Sequence, residues 1–338
     1  MVTIKDVAKK AGVHPSVVSR VLNQDGTLKI KKETRERVLR TVEELDYVPN
    51  HSARNLKRNE TMMIGMIIPD FSNPVYSSII HGAENKAAEE GYNLLVYSKN
   101  QKGIGGNYFS HLVEGRIDGL LIAASELDDK DILELTELNK PFILVNRSVE
   151  GIDNHVVLDD EKAGYIAAEH LIGLGHERIA HITGPFETGT GLKRFNGFEN
   201  GLRDAGINLN ADYIRKSSYS MHSGYEQMNH LLNLEERPTA VFAANIMISL
   251  GAMRAVQERG LKIPEDISII GVHDVSFATA LNPALTTIRM PLYEMGEVAV
   301  LKIIESIKSK VPNRQMEGIM IEGGELILRE STKELTPE

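Results

Sequence analysis

The chain has 338 residues, 38 Lys and Arg against 47 Asp and Glu, a net charge of −9 and no cysteine. That length exceeds what one hydrophobic core usually serves, and without cysteine there are no disulfides or thiolate metal sites, which fits a reducing cytoplasm. The N-terminus lacks a basic start followed by an apolar run, and no apolar stretch reaches the roughly 18 residues that span a bilayer, so neither a signal peptide nor a membrane partner is expected, and a cytoplasmic location is. Residues 1–59 hold 13 basic and 7 acidic side chains, the rest 25 and 40; a basic head with a polyanionic partner precedes an acidic body.

In the head, Ile4, Val7, Ala8 and Ala11 share one face of a first helix. Gly12 breaks it, and Pro15 suits the first turn of a second helix, because the N–H it lacks has no partner there. Val17, Val18, Val21 and Leu22 pack back, leaving Ser16, Arg20 and Asn23 outward. Such a pair is a helix-turn-helix, whose second helix enters the major groove and offers Arg to guanine. A polar loop with Asp25-Gly26 leads to a third helix marked by Val38, Leu39, Val42 and Leu45, ending near Asp46. Beyond it, Pro49 and the candidate cap Asn50 precede Ala53 and Leu56 among Arg54, Lys57 and Arg58. A short helix with one apolar residue among cations resembles the wedges that open minor-groove steps. Too short to be stable alone, it forms when DNA and a second copy support it, which makes it a switch.

From residue 62 short apolar runs alternate with amphipathic segments, the pattern of a parallel sheet covered on both faces. Strands are predicted at 62–69, 92–98, 119–125, 141–146 and 156–160, then at 178–184, 239–245 and 267–272. Helices fill stretches such as 75–90, 161–174, 194–205, 223–233 and 247–259. Two similar lobes with a cleft follow, and ligands of open α/β sheets bind outside the carboxyl ends of the strands.

Enzymatic readings fail on spacing. Gly184, Gly189 and Gly191 follow a strand, but Leu192 precedes Lys193 where a P-loop needs Lys directly after its last glycine. Gly103, Gly105 and Gly106 miss the dinucleotide spacing. His170, His176 and His181 form no HExxH pair, and there is no serine elbow. Neither enzymatic activity nor a cofactor or metal is expected.

TIKDVAKKAGV and VSRVLN in the head, TRERV, ELDYVPN and ARNL after it, then PDFSNP, GRIDGLL, GHERIAHITGP, RFNGF, PTAVFAAN and PALTTIRMP stand in an order and spacing that resemble the LacI/GalR (lactose and galactose repressor) family of transcription regulators over nearly the whole chain. The resemblance implies an N-terminal helix-turn-helix bundle (1–47), a hinge helix (48–60) and an α/β core (61–338) similar to periplasmic binding proteins. That core would comprise two doubly wound parallel-sheet lobes: about 61–160 with 288–319, and about 161–287 with 320–332. Three crossovers would join them near 160, 287 and 320. It implies a repressor whose operator affinity follows a small-molecule effector. Base contacts fall to Pro15, Ser16 and Arg20, phosphate contacts to Thr3 and Asn23, and hinge contacts to Ala53, Leu56 and Lys57. Two Leu56 side chains would kink the centre of a pseudo-palindromic operator under a homodimer. After 325–332 no leucine heptads follow, which favours a dimer over a tetramer. His14 stands where the family pattern has a serine cap, Pro15 removes a hydrogen-bonding side chain, and the 24–33 loop is about two residues longer than usual.

For the core, the resemblance assigns Phe71, Asn73, Tyr76, Asn146, Asp160, Arg194, Tyr219, Asn245 and His273 to the effector cleft. Tyr219 or Phe71 could stack on a ring and Arg194 could pair with hydroxyl, carboxylate or phosphate. Asn245-Ile246 and His273-Asp274 stand where the family often has Asn-Asp and Asp-Asp. The expected effector is a sugar, sugar phosphate or sugar acid, and a lost carboxylate with an added histidine, able to carry positive charge, weighs toward the two anionic classes. Open alternatives are a solute-binding protein of the same core fold, control by a protein partner, and a cleft that has lost its small-molecule response.

Overall fold

The computed structural model describes residues 2–23, 25–47, 61–98, 116–123, 132, 140–309 and 317–335, and divides the chain into two compact units, 1–61 and 62–338. In the first unit α1 (Ile4–Ala11), α2 (Pro15–Leu22) and α3 (Lys32–Glu44) enclose Val7, Ala8, Ala11, Val18, Val21 and Val38. Gly12 ends α1 in the left-handed region, φ +64°, which no side chain favours. His14 fills the cap position of α2, its Nδ1 accepting from the Ser16 amide at 3.3 Å, so the imidazole does the work of a serine. Leu39, expected on the inner stripe of α3, is 42% exposed; the helix turns Val38 and Thr41 inward instead.

The second unit holds two six-stranded sheets. β1 (Met63–Ile68), β2 (Asn93–Ser98), β3 (Gly119–Ile122), β4 (Phe142–Val145), β5 (His155–Leu158) and β11 (Ile319–Ile321) lie in the order β11-β5-β4-β3-β1-β2, all pairs parallel. β6 (Ile179–Thr183), β7 (Ile214–Lys216), β8 (Ala240–Ala243), β9 (Ser268–Val272), β10 (Thr286–Arg289) and β12 (Glu325–Ile327) repeat that order as β12-β10-β9-β8-β6-β7. Only β12 runs antiparallel, against β10. β3, β4 and β8 are buried along their whole length, the physical origin of their unbroken apolar runs.

Helices α4 (Pro74–Glu89), α5 (Asp160–Gly173), α6 (Gly189–Asp204), α7 (Met221–Leu232) and α8 (Ile246–Glu258) each begin at a polar cap: Asn73, Asp159, Thr188, Ser220 and Asn245 accept from amides of the first turn. The ninth helix among the described residues, α9 (Leu292–Ser309), packs beside α4; it and the strands β7, β10, β11 and β12 are absent from the predicted elements. The chain passes between sheets after β5 at 159, after β10 at 290–291 and after β11 at 322–324, where crossovers were expected near 160, 287 and 320. Paired glycines bring the helices together. A Cβ on Gly164 of α5 would stand 2.0 Å from the Arg194 carbonyl, and one on Gly197 of α6 1.8 Å from that of Glu161.

Candidate functional site

In the head, Ser16 and Asn23 are exposed on or at the end of α2, with Pro15 and Arg20 half-buried. Arg20 is held from behind. Its Nε donates to Asp25 Oδ2 at 2.7 Å and its Nη2 to Thr27 Oγ1 at 2.8 Å. Asp25 in turn accepts the Thr27 amide at 2.9 Å and hydroxyl at 2.6 Å. Hydrogen bonds from Thr27 and Arg20 depress the Asp25 carboxyl to about 2, so it stays ionised. Thr3 donates both its amide and its hydroxyl to Asp6, at 2.9 and 2.7 Å, leaving it no further donor for a phosphate. The Asn23 side chain reaches Ser19 Oγ at 3.4 Å. Ala53, Leu56 and Lys57 lie outside the described residues. Asp25 and Thr27 escape residue-by-residue sequence reading.

In the core, the close approach of α5 and α6 brings Asp160, the first residue of α5, against Arg194 of α6. Both are buried, and the guanidinium donates Nε and Nη2 to Asp160 Oδ1 at 2.8 and 2.6 Å. Its Nη1 donates to the Ala244 carbonyl at 2.6 Å, and Nη2 stands 3.1 Å from His273 Nε2. Burial pushes the Asp160 carboxyl up, with the adjacent guanidinium opposing. Arginine has no acceptor, so His273 Nε2 must accept and the ring proton sits on Nδ1. Burial, reinforced by the Arg194 charge, holds the His273 imidazole well below its ordinary value. The expected positive charge at His273 is therefore absent: the ring is neutral, because a buried imidazolium beside a guanidinium would have neither solvent nor counter-ion.

Among the described residues three buried side-chain atoms lack a hydrogen-bond partner: Asn146 Oδ1, His273 Nδ1 and His181 Nε2. Asn146 directly follows β4 and His273 directly follows β9, the third strand of each sheet. Both adopt positive φ, +58° and +77°, a conformation such residues hold only where the surroundings impose it. An unpaired acceptor and an unpaired donor thus stand at equivalent strand ends of the two lobes.

The remaining expected cleft residues have mixed surroundings. Asn73 and Asn245 cap α4 and α8, accepting from Val75 N at 3.1 Å and Ile248 N at 2.8 Å. Tyr76 is buried within the core of the N-terminal lobe. Phe71, in the turn after β1, is 62% exposed. The Tyr219 hydroxyl lies 2.8 Å from Thr190 Oγ1 and 3.3 Å from Thr188 Oγ1, and its ring covers Gly184, where a Cβ would collide with it at 2.3 Å. Asp274, next to His273, is pushed up by burial, but hydrogen bonds from Arg289, Arg329 and Thr287 outweigh this and hold its carboxyl below the usual range. No group of three or more His, Asp or Glu among the described residues could hold a metal, and no described helix is long and apolar enough to cross a membrane.

Residues 3–50 match the bacterial regulatory proteins of the lacI family, and residues 61–321 match the periplasmic binding proteins and sugar binding domain of LacI family. An HTH-type transcriptional repressor PurR of Haemophilus influenzae is 37% identical over 338 residues, covering 99% of this chain and 100% of that protein. Among solved structures, the lac repressor dimer bound to operator and the anti-inducer ONPF aligns with a TM-score of 0.84 at 29% identity, over 98% of this chain and 99% of that one. The transcriptional regulator CelR in complex with cellobiose aligns with a TM-score of 0.74 at 28% identity, over 98% of this chain and 100% of that one.

Proposed function

The chain belongs to the lacI family of bacterial regulatory proteins, a DNA-binding transcriptional regulator controlled by an effector and not an enzyme, and from that premise we propose which groups read the operator and what effector the core takes. Ser16 and Arg20 read base edges in the major groove from the outer face of α2, Pro15 makes an apolar base contact, and Asn23 contacts phosphate. Residues 48–60, with Ala53, Leu56 and Lys57, form a hinge that folds with DNA. A homodimer presents two heads to a pseudo-palindromic operator; the lac repressor relative is likewise a dimer bound to operator.

The effector is an uncharged polyhydroxy compound, a sugar. The observation that carries this reading is the pair of unpaired buried atoms, the Asn146 Oδ1 acceptor and the His273 Nδ1 donor, because one class of group, the hydroxyl, satisfies both. Arg194 does not call for an anion: Asp160 and the Ala244 carbonyl already engage it. A carboxylate or phosphate group has no proton to give the Asn146 oxygen, so it is a hydroxyl of the ligand that meets it, and neither Arg194, already paired, nor the neutral His273 offers a charge that calls for an anionic group. The CelR relative's bound cellobiose, an uncharged sugar, supports the same choice. Closure of the lobes on the sugar changes operator affinity through the different affinities of the sugar for the two states.

The test is a thermal-shift panel of neutral sugars, sugar phosphates and sugar acids on the full chain, followed by operator binding with each hit. A neutral sugar should raise the melting temperature and change operator affinity. A shift confined to the anionic compounds would sink the neutral assignment.

A further inference from the structure

The head contains a contact that DNA reading by α2 does not by itself require. The loop after α2 turns back so that Asp25 and Thr27 meet Arg20, and both take the same edge of its guanidinium, the one shared by Nε and Nη2. The far edge, Nη1 with the second N–H of Nη2, remains without a protein partner among the described residues. That edge has two parallel donors, the geometry that matches O6 and N7 of guanine. A free arginine side chain samples many rotamers and loses that freedom on binding. Arg20, gripped at one edge, has lost much of it beforehand.

We propose that Asp25 and Thr27 are positioning residues for operator reading, forming a clasp that turns the donor edge of Arg20 toward the base it reads. The inference rests on Arg20 being a base contact. Asp25 itself touches no base. Its hydrogen bonds to the Thr27 amide and hydroxyl shape the loop, and its Oδ2 holds Nε. The other charges near this face, Lys29, Lys31 and Lys32 on the loop and the start of α3, make no ion pair with Asp25 among the described residues, so Arg20 is its counter-ion. The loop after α2 thus supplies specificity rather than slack.

Electrostatics alone and the clasp predict opposite signs for one substitution. Asp25→Asn removes a negative charge from a DNA-facing surface, which by charge alone strengthens binding to every duplex. The clasp predicts that it weakens binding to the operator. The experiment selects an operator from a randomised duplex pool with the full chain. It then measures affinity for that duplex, for the same duplex with 7-deazaguanine at the half-site guanines, and for an unrelated duplex. Wild type should lose about tenfold on the 7-deazaguanine duplex, which lacks the N7 acceptor. Asp25→Asn and Thr27→Val should each bind the selected operator about tenfold more weakly, bind the unrelated duplex as well as wild type or better, and lose most of the 7-deazaguanine discrimination. Asp25→Asn should cause no further loss of operator affinity in the Arg20→Ala background, since the two act as one unit. Thr27→Val leaves the charge and the Asp25 turn to the Thr27 amide in place, so it tests the clasp even if Asp25→Asn loosens the loop. Wild-type discrimination in both clasp variants, with Arg20→Ala having lost it, overturns the clasp alone. Discrimination retained in Arg20→Ala overturns the base contact, and the clasp with it.

Discussion

His181 sits in β6 between aromatic rings, stacked on Phe242 with centroids 4.2 Å apart and tilted against Phe198 at 5.0 Å. Its Nδ1 bonds to the Phe242 carbonyl at 2.9 Å, and its Nε2 is buried without a partner. Burial lowers its pKa to about 3, against an ordinary 6.5, and His273 is lowered in the same direction. A base whose folded pKa is depressed binds fewer protons folded than unfolded between those two values, so stability falls as the pH drops below about 6.5 and is level above it. His181 contributes a slope of about 1.4 kcal/mol per pH unit in that window. His181→Phe should therefore flatten the dependence of unfolding free energy on pH between about 6.5 and about 3, as read by urea titrations at several pH values. A variant as acid-sensitive as wild type would show that His181 is protonated in the folded state. At this scale sequence reading singles out Asp160, Arg194 and His273 through the family resemblance, but not their mutual bonds. Arg194 lies 34 residues from Asp160 and 79 from His273, so only the packed helices bring the three together, and that burial beside the guanidinium keeps the histidine neutral.

The elements that do this are legible to very different degrees. Strands buried on both faces announce themselves as apolar runs, which is why β1, β3, β4, β6, β8 and β9 can be placed from sequence alone. β7, β11 and β12 have three residues each, IRK, IMI and ELI, too few to display a period. The helix crossings are written in glycines that carry no pattern of their own: Gly164 with Gly197, Gly82 with Gly296, and Gly224 with Gly251 each sit where a Cβ would strike the partner helix. Gly197→Ala places a methyl 1.8 Å from the Glu161 carbonyl, forcing α5 and α6 apart. Overpacking of that kind costs about 1–3 kcal/mol, and it also pulls Asp160 from Arg194. The variant should unfold at lower urea and lose the thermal shift given by the effector sugar. Gly173→Ala provides the contrast. It lies in the last turn of α5 with nothing within 4 Å of its Cβ, and alanine in a helix is favoured by up to about 1 kcal/mol. Equal destabilisation by both variants would mean that close approach is not what Gly197 serves.

At the scale of the core, two lobes with the same strand order are joined by three crossovers, and the second and third are tied together. Arg289, the last residue of β10, donates to Asp274 at 2.8 Å and to Glu325 of β12 at 3.0 Å, while Arg329 reaches Asp274 at 2.6 Å. Arg289 is half-exposed, so solvent screens these pairs and they orient the crossovers more than they stabilise them. The chain crosses between the lobes only at 159, 290–291 and 322–324, so a closure of the strand ends bearing Asn146 and His273 would have to bend there. If closure controls DNA binding, linkage requires reciprocity: the factor by which a sugar changes operator affinity must equal the factor by which the operator changes sugar affinity. Titrating the sugar into free protein and into protein saturated with the selected operator gives one ratio, and titrating operator with and without saturating sugar gives the other. Both should agree and fall between about 5- and 150-fold. A sugar that binds both forms equally, however tightly, shifts no equilibrium, and that result would leave the core a sugar-binding module with no hold on the head.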